Sequence, residues 1–218
     1  MSHATPTVFV VDDDISVRTS LELLIDSAGW RSATFQSAHD FLRYPRVVEP
    51  SCLVLDVGLP DLDGLELQKR MSRDRSDMPI IFISGYGDVP TTVRAIKAGA
   101  LEFFTKPLAG EVLVDAIQQA LERSRRMLDH QTAMRELRDR HASLSARERQ
   151  VLPLVVSGLL NKQVAGELGI SETTVKAHRG QVMRKMKADS LPALVTMAAR
   201  LELRPASLQD QGGSPRSE

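Results

Sequence analysis

Side chains suited to phosphoryl chemistry follow short apolar runs in the first half of the sequence. In chain order they are Asp12, Asp13, Asp14, Asp56, Ser84 and Lys106. An acidic triplet alone is typical of a solvated turn, but carboxylates gathered from different runs repel one another unless a hard cation such as Mg²⁺ neutralises them. Asp56 would then be a nucleophile that forms an aspartyl phosphate. Mg²⁺ and Lys106 would neutralise the phosphoryl oxygens, and Ser84 would donate a hydrogen bond to one of them.

Apolar runs alternate with amphipathic segments through this half, and the alternation predicts how those residues meet. The predicted strands are Val8–Val11, Ser32–Phe35, Cys52–Leu55, Ile80–Ile83 and Leu101–Phe104, and helical patterns cover about 15–28, 37–43, 63–73, 89–98 and a segment from Glu111. This order is typical of an α/β flavodoxin-like fold, a five-stranded, doubly wound parallel sheet. Functional groups in such folds collect at the carboxyl ends of the strands, so we expect the six residues at one sheet edge.

Four motifs of this segment resemble the receiver domain of two-component response regulators. In order they are Val11-Asp12-Asp13-Asp14, Leu55-Asp56-Val57-Gly58-Leu59-Pro60, Ile83-Ser84-Gly85 and Phe104-Thr105-Lys106-Pro107, within about Val8 to Leu121. The resemblance implies that Asp56 accepts a phosphoryl group from a phosphohistidine of a sensor histidine kinase. It also implies Mg²⁺, or Mn²⁺, bound by Asp13, Asp56 and the backbone carbonyl of Gly58, with Asp12 acting mainly through water. Such a domain catalyses only its own phosphorylation and dephosphorylation, so we expect a transcription regulator and not an enzyme.

The resemblance also implies a switch at Ser84 and Phe103. Phosphate draws the Ser84 hydroxyl inward, and the ring of Phe103 follows into the vacated space. This change favours homodimerisation through the face made by the fourth helix, fifth strand and fifth helix. Ser84 stands where threonine is frequent and Phe103 where tyrosine is frequent, so the hydroxyl of the first position is kept and that of the second is lost.

Two alternatives concern the same pocket. The Lys106-Pro107 bond permits a cis peptide that would aim the lysine into the pocket, or the lysine is a surface residue before a turn. Haloacid-dehalogenase-like phosphatases also use a strand-end aspartate, Mg²⁺ and a lysine, but they need a general acid two residues after the nucleophile. That position is Gly58, so the phosphatase is the weaker hypothesis.

The second half of the chain has the opposite charge. Residues 1–120 carry 17 acidic and 11 basic side chains, whereas residues 121–218 carry 11 acidic and 17 basic ones, so the formal net charge of zero conceals two oppositely charged halves. Every aromatic side chain lies at or before Phe104. The basic half therefore suits a nucleic-acid partner but offers no ring for stacking unpaired bases.

Two short helices in the basic half predict a helix-turn-helix. Asn161–Leu168 is followed by the turn Gly169-Ile170-Ser171 and by a helix from Glu172 to Lys187. Val175, Val182 and Met186 are expected to face its core. A helical bundle with a solvated basic face is the alternative, although the cost of Gly180 inside a helix, about 1 kcal/mol relative to alanine, suggests that a neighbour approaches closely there.

This segment resembles the LuxR-type DNA-binding domain. The matching residues are Leu144-Ser145-Ala146-Arg147-Glu148-Arg149-Gln150-Val151-Leu152, Gly158, Asn161-Lys162 and Thr174-Val175-Lys176-Ala177-His178. With the receiver, they point to the FixJ/NarL group of transcriptional regulators, closer to FixJ. The resemblance implies double-stranded promoter DNA and RNA polymerase as partners, and the expected DNA-binding residues are Lys162, Thr173, Thr174, Lys176, Ala177, Arg179, Gly180, Gln181 and Arg184. Of these, Lys176, Ala177 and Gly180 would meet base edges, and Lys162, Arg179 and Gln181 would meet phosphates. RNA binding, as in antitermination, is the alternative output.

We therefore expect four regions: a receiver over 1–121, a helical linker over 122–142, a helix-turn-helix domain over 143–204 and a disordered tail over 205–218. Leu113, Ala120, Met127 and Met134 recur every seven residues, which fits either a weak coiled-coil seam or a solvated helical connector. The lone Cys52 fits a reducing compartment, and no apolar run is long enough for a membrane helix. The expected location is the cytoplasm, without a membrane partner.

Overall fold

The computed structural model describes residues 5–85 and 88–203. The chain divides into two compact units, residues 1–130 and 131–218. The tail expected to be disordered, 205–218, lies outside the described residues. None of the described helices is long and apolar enough to cross a membrane.

The first unit alternates strands and helices throughout. The strands are β1 (Thr7–Val11), β2 (Arg31–Phe35), β3 (Ser51–Asp56), β4 (Ile80–Ser84) and β5 (Glu102–Thr105), and the helices are α1 (Ile15–Ser27), α2 (Ala38–Arg43), α3 (Gly64–Asp74), α4 (Val89–Lys97) and α5 (Gly110–Ala142), which ends in the second unit. Asp14, Ser37, Asp63 and Asp88 each precede a helix and accept a hydrogen bond from one of its first backbone amides. These caps explain why each helix begins where it does.

The five strands form one parallel sheet in the order β2-β1-β3-β4-β5. Val11 pairs with Leu55, Asp56 with Ile83, and Ser84 with Thr105. All strands therefore end at the same edge, and the order changes direction between β1 and β3, where doubly wound folds carry their functional sites. The predicted flavodoxin-like class is confirmed.

Successive strand residues enter two separate core layers, as strand geometry requires. Phe9, Leu55 and Phe82 pack with α2, α3 and α4 on one face of the sheet. Val10 and Ile81 pack with α1 and α5 on the other face. Both faces are covered, which explains why the three central strands, β1, β3 and β4, are buried along their whole length and mostly apolar.

Helix α5 contributes to the second core layer as far as Leu121 and contacts the sheet again at Ser124, beyond the predicted end of the receiver. Leu113 and Ala120 of the seven-residue repeat are buried in that layer, so this part of the repeat packs on the sheet and forms no coiled-coil seam. Ser124, a polar residue in the segment predicted to be a linker, is also fully buried. Its hydroxyl accepts a hydrogen bond of 3.1 Å from the backbone amide of Ser51, at the start of β3.

The second unit is helical apart from its turns over the residues that the structure describes. It contains the end of α5, followed by α6 (Ala146–Val156), α7 (Asn161–Leu168), α8 (Glu172–Met186) and α9 (Leu191–Arg200). Ser145 and Glu148 form a capping box at the start of α6. Gly169 ends α7 with a left-handed φ of 63°, which a glycine adopts without steric cost. Leu137, Leu152, Val164, Val175 and Leu194 form its core.

Candidate metal centre and DNA-binding surface

Four adjacent strands bring the predicted phosphoryl-transfer residues to one edge of the sheet. Asp12 and Asp13 follow β1, Asp56 ends β3, Ser84 ends β4, and Lys106 follows β5. One carboxylate oxygen from each of Asp12, Asp13 and Asp56 lies within 4.8 Å of the other two. Asp12 and Asp56 are buried whereas Asp13 is exposed, so the cluster opens to solvent on one side.

Asp12 is the innermost of the three carboxylates, and both of its oxygens have protein partners. Oδ2 forms an ion pair of 2.6 Å with Nζ of Lys106, and Oδ1 accepts a hydrogen bond of 2.9 Å from the backbone amide of Asp14. Burial raises the pKa of Asp12 above its ordinary value, and the hydrogen bonds from Lys106 and Asp14 offset this only in part. Asp13, whose carboxylate is exposed, is therefore better able than Asp12 to offer an oxygen directly to a cation.

Lys106 connects the two buried carboxylates. Its ammonium lies 2.6 Å from Asp12 and 3.3 Å from Asp56. Burial tends to lower the pKa of Lys106, but the hydrogen bond to Asp12 and the charges of Asp56 and Asp12 outweigh this effect and raise it, so the ammonium stays protonated at neutral pH. The Lys106-Pro107 peptide bond is cis, as the first of the two alternatives anticipated, and the Lys106 side chain enters the pocket.

The phosphoacceptor candidate, Asp56, is only slightly accessible. Its side chain is 11% exposed, and its Oδ1 accepts a hydrogen bond of 3.4 Å from the backbone amide of Gly58. The loop after β3 therefore turns back over the carboxylate. Gly58 itself is exposed, and a Cβ added there would meet nothing within 4 Å.

A glycine that the sequence motifs did not single out lies against the backbone of Asp56. A Cβ added at Gly64, the first residue of α3, would lie 2.6 Å from the carbonyl oxygen of Asp56. The amide of Gly64 donates a hydrogen bond of 3.2 Å to the carbonyl of Val57. The sequence signal was the pair Asp63-Gly64, in which a glycine follows a helix cap at a position where a better helix former is ordinarily favoured.

The two predicted switch residues lie on the neighbouring strands. Ser84 is buried, and its carbonyl accepts a hydrogen bond of 2.8 Å from the backbone amide of Lys106. Phe103 pairs with Phe82 across β4 and β5, and the two ring centroids lie 6.0 Å apart. The ring of Phe103 is half-buried against the core layer that includes Phe82.

This donor set fits a divalent, oxygen-preferring cation. One oxygen from each of three carboxylates lies within 4.8 Å of the others, close enough for all three to bind one ion, and a single lysine contacts two of the carboxylates. Mg²⁺ and Mn²⁺ are bound by such carboxylate and carbonyl oxygens and retain several waters, for which the exposed side of Asp13 leaves room.

The second unit presents a polar face on α8. Ser171 caps this helix by accepting a hydrogen bond of 3.1 Å from the amide of Thr174. Val175, Val182 and Met186 are buried as predicted. The exposed residues on the remaining surface of the helix include Thr173, Thr174, Lys176, Ala177, Gly180 and Arg184, while Arg179 and Gln181 are half-buried.

Two side-chain contacts hold α8 against the helices before it. Arg179 donates a hydrogen bond of 3.2 Å to Asn161 at the start of α7, next to the exposed Lys162. Lys185 forms an ion pair of 2.7 Å with Glu148 of the capping box of α6. The exposed face of α8 is therefore carried on a helix fixed at two points.

Gly180 has no packing explanation within the described residues of the second unit. A Cβ added there would meet nothing within 4 Å. Its position in the middle of an exposed helix face is therefore costly, and no packing among the residues that the structure describes compensates for it.

Comparison with known proteins identifies a family for each of the two units. Residues 8–118 match the response regulator receiver domain, and residues 142–198 match the bacterial regulatory proteins of the luxR family. The chain is 48% identical over 194 residues to nodulation protein W of Bradyrhizobium diazoefficiens, with 89% of this chain and 86% of that protein covered. It is 41% identical over 193 residues to the transcriptional regulatory protein FixJ of the same organism, with 88% and 94% covered.

A solved structure of the response regulator StyR is also similar, with 46% identity and a TM-score of 0.82 over 90% of this chain and all of that one. Two family models in the expected order, together with relatives matched over most of their length, leave one assignment. The chain belongs to the response regulators that join a receiver to a LuxR-type DNA-binding domain, the family that includes FixJ.

Proposed function

We propose that this regulator accepts a phosphoryl group on Asp56 from a sensor histidine kinase, with Mg²⁺ or Mn²⁺ bound, and in response binds promoter DNA as a dimer. The observation that carries the proposal is the convergence of Asp12, Asp13 and Asp56 on one edge of the sheet, with the Lys106 ammonium between the two buried carboxylates. The promoter target implies a cytoplasmic regulator that acts with RNA polymerase. Gly58 supplies no general acid, so the phosphatase alternative is not proposed.

The transfer uses groups that are already in position. An Asp56 carboxylate oxygen attacks phosphorus, the bond between phosphorus and the kinase imidazole nitrogen breaks, and the imidazole leaves with that electron pair. Asp13, Asp56 and the Gly58 carbonyl would hold the cation, and Asp12 would act through water because its oxygens are bound by Lys106 and Asp14. The bound cation would neutralise charge on the phosphoryl oxygens.

Lys106 and Ser84 would bind the transferred group. The ammonium, at 3.3 Å from Asp56, would shift to a phosphoryl oxygen, and the Ser84 hydroxyl would donate to another. Phe103 would then move further into the core beside Phe82. This switch favours the active state by contacts that exist only when phosphate is present.

Exposed apolar side chains support the expected dimer surface. Val93 and Ile96 of α4 are 43% and 44% exposed, and Val112 of α5 is 47% exposed. All three lie on the helices that flank β5. A two-fold dimer through this face would pair two helix-turn-helix domains for a two-fold operator.

Phosphorylation is tested by intact-mass measurement and light scattering after incubation with Mg²⁺ and acetyl phosphate. We expect wild type and the control Asp129→Asn, an exposed carboxylate of α5, to gain one phosphoryl group and to shift from monomer to dimer. Asp56→Asn should gain none and remain monomeric. Equal labelling of Asp56→Asn would contradict the phosphoacceptor assignment, and labelling without dimerisation would contradict the dimer step.

The DNA-binding assignment follows from the exposed face of α8. Lys176, Ala177 and Gly180 would approach base edges in the major groove, and Lys162, Arg179 and Gln181 would contact phosphates. Asn161 accepts a hydrogen bond from the guanidinium of Arg179 and so orients it. The other expected contacts, Thr173, Thr174 and Arg184, lie on the same helix. Residues 141–204 carry ten basic and five acidic side chains but no aromatic residue, which favours duplex DNA over single-stranded RNA.

Base reading is tested with duplex DNA selected by the wild-type protein from a random library. We expect Lys176→Ala to bind the selected sequence about 5- to 150-fold more weakly, as loss of one base contact of about 1–3 kcal/mol implies. Arg149→Ala, which removes an exposed cation from α6, serves as the control and should bind normally. Unchanged affinity and footprint for Lys176→Ala would remove this residue from the base-reading set.

A further inference from the structure

Arg18 holds the loop that carries the first two carboxylates, and the proposed function has not yet used it. This half-buried residue belongs to the first turns of α1. Its Nη1 donates hydrogen bonds to the backbone carbonyls of Asp12, at 2.7 Å, and Asp13, at 2.9 Å. These are consecutive carbonyls of the segment that leaves β1.

The two hydrogen bonds restrict rotation of the peptide planes that contain the carbonyls of Asp12 and Asp13. Turning either plane would redirect the side chain of Asp12 or Asp13. The backbone amide of Arg18 also donates to the carbonyl of Asp14, at 3.1 Å, and Asp14 caps α1 through Ser16. All three acidic residues are therefore hydrogen-bonded to the first turn of α1. The guanidinium of Arg18 makes the hydrogen bonds to Asp12 and Asp13.

The guanidinium is committed to these carbonyls. Within residues 5–85 and 88–203, Arg18 makes no ion pair, although the carboxylate of Glu22 lies one helical turn further on. An arginine that served only to offset repulsion between surface carboxylates would be expected to form an ion pair with Glu22, four residues later on the same helix. Its position points instead to support of the loop.

The Arg18 guanidinium has two opposing effects on a bound metal ion. Its positive charge repels a divalent cation, whereas its hydrogen bonds fix the ligands in place. Loss of groups that orient metal ligands typically weakens metal affinity by about 10–100-fold. Repulsion across a partly solvated surface is smaller, since water screens it.

We infer that Arg18 is a positioning residue of the metal centre, which holds Asp12 and Asp13 in the orientation that the cation requires. The inference rests on the proposed function, because it concerns the same carboxylates. Arg18 touches neither the metal nor the phosphoryl group. Its loss should therefore weaken metal binding while leaving phosphorylation intact once the metal is supplied in excess.

The test is Mg²⁺ titration of the full-length protein by calorimetry, on wild type, Arg18→Met, Arg18→Lys and the control Arg43→Met, which removes an exposed arginine at the end of α2. We expect Arg18→Met to bind Mg²⁺ about tenfold more weakly or worse. Arg18→Lys keeps the charge and a donor nitrogen on a shorter side chain that reaches the two carbonyls less well, so it should lie between Arg18→Met and wild type, and Arg43→Met should match wild type. Labelling by acetyl phosphate at saturating Mg²⁺ should proceed at the wild-type rate in all four.

The outcomes separate the two hypotheses. Unchanged or tighter Mg²⁺ binding by Arg18→Met overturns the role of Arg18 and leaves the metal centre standing. Absence of Mg²⁺ binding by the wild type overturns the metal centre and the inference with it. If Arg18→Met fails to fold, as Trp30 fluorescence would report, Arg18→Lys decides, and wild-type affinity in that variant overturns the inference.

Discussion

Gly64 lies so close to the backbone of Asp56 that replacing it by alanine should reduce the stability of the receiver. An added Cβ would lie 2.6 Å from the carbonyl oxygen of Asp56 and 3.1 Å from both Cα of Val57 and Cε1 of Phe82. Two of these atoms belong to the backbone, so no side-chain rotation relieves the contact. Overpacking of this kind costs about 1–3 kcal/mol, and the gain from placing alanine in a helix is at most about 1 kcal/mol. We therefore expect the receiver to lose about 1–2 kcal/mol of its free energy of unfolding.

Urea unfolding followed by Trp30 fluorescence measures this loss, because Trp30 is the single tryptophan of the chain and packs in the receiver core. Gly110→Ala is a matched control, since Gly110 begins α5 as Gly64 begins α3. A Cβ at Gly110 would meet Cδ1 of Leu24 at 3.2 Å, and this side-chain tip can move. The control should stay within about 0.5 kcal/mol of wild type. Equal midpoints for Gly64→Ala and wild type would refute the packing argument.

The displaced Asp56 carbonyl should also disturb the carboxylate cluster. We expect Gly64→Ala to bind Mg²⁺ more weakly than Gly110→Ala in calorimetric titration. Trp30 is unsuited to that measurement because it lies beside Pro6, at the opposite end of the strands from Asp56. Loss of stability with unchanged Mg²⁺ affinity would mean that the strain is absorbed away from the site.

Three further predictions concern the second unit. Gly180→Ala and Gly166→Ala should each stabilise it by up to about 1 kcal/mol, because neither Cβ meets an atom within 4 Å. Only Gly180→Ala should weaken DNA binding. Equal DNA affinities of the two variants would contradict a close approach of DNA at Gly180. Lys187 ends α8 with a left-handed φ of 56°, so Lys187→Gly should raise the thermal midpoint by relieving about 1 kcal/mol, whereas a lower midpoint would show that the lysine side chain compensates. The hydrogen bond from Lys185 holds the pKa of Glu148 below its ordinary value of 4.5, so its stabilising effect should be complete above pH 4.5 and disappear as the pH falls through the lowered pKa. Glu148→Gln should reduce stability at pH 7 and flatten this acid dependence, and an unchanged slope would count against the ion pair.

Local patterns predicted the elements of both units closely. The apolar run from Cys52 to Leu55 became β3 with one added residue at each end, because edge residues of a strand can be polar when their backbone groups still pair. Helix α7 has the predicted bounds, since the αL conformation of Gly169 ends it. These features depend on residues close in sequence.

Features that depend on distant packing were the ones missed. Ser124 falls in the segment predicted to be a linker, yet its hydroxyl accepts a hydrogen bond from the amide of Ser51, 73 positions earlier. Gly64 matters because of a backbone contact with Asp56, and Arg18 because its side chain turns back on its own loop. Side-chain periodicity contains no information on such contacts. The five strand-end residues of the pocket were predictable because parallel topology alone sends the ends of their four strands to one edge.

The most direct test of the account is the affinity of the full-length protein for its selected duplex DNA before and after treatment with Mg²⁺ and acetyl phosphate. The account predicts that treatment tightens binding by wild type at least tenfold, since a dimer engages two half-sites, and leaves Asp56→Asn unchanged. Equal affinity of treated and untreated wild type, in a sample shown by mass to carry the phosphoryl group, would contradict control of DNA binding through Asp56.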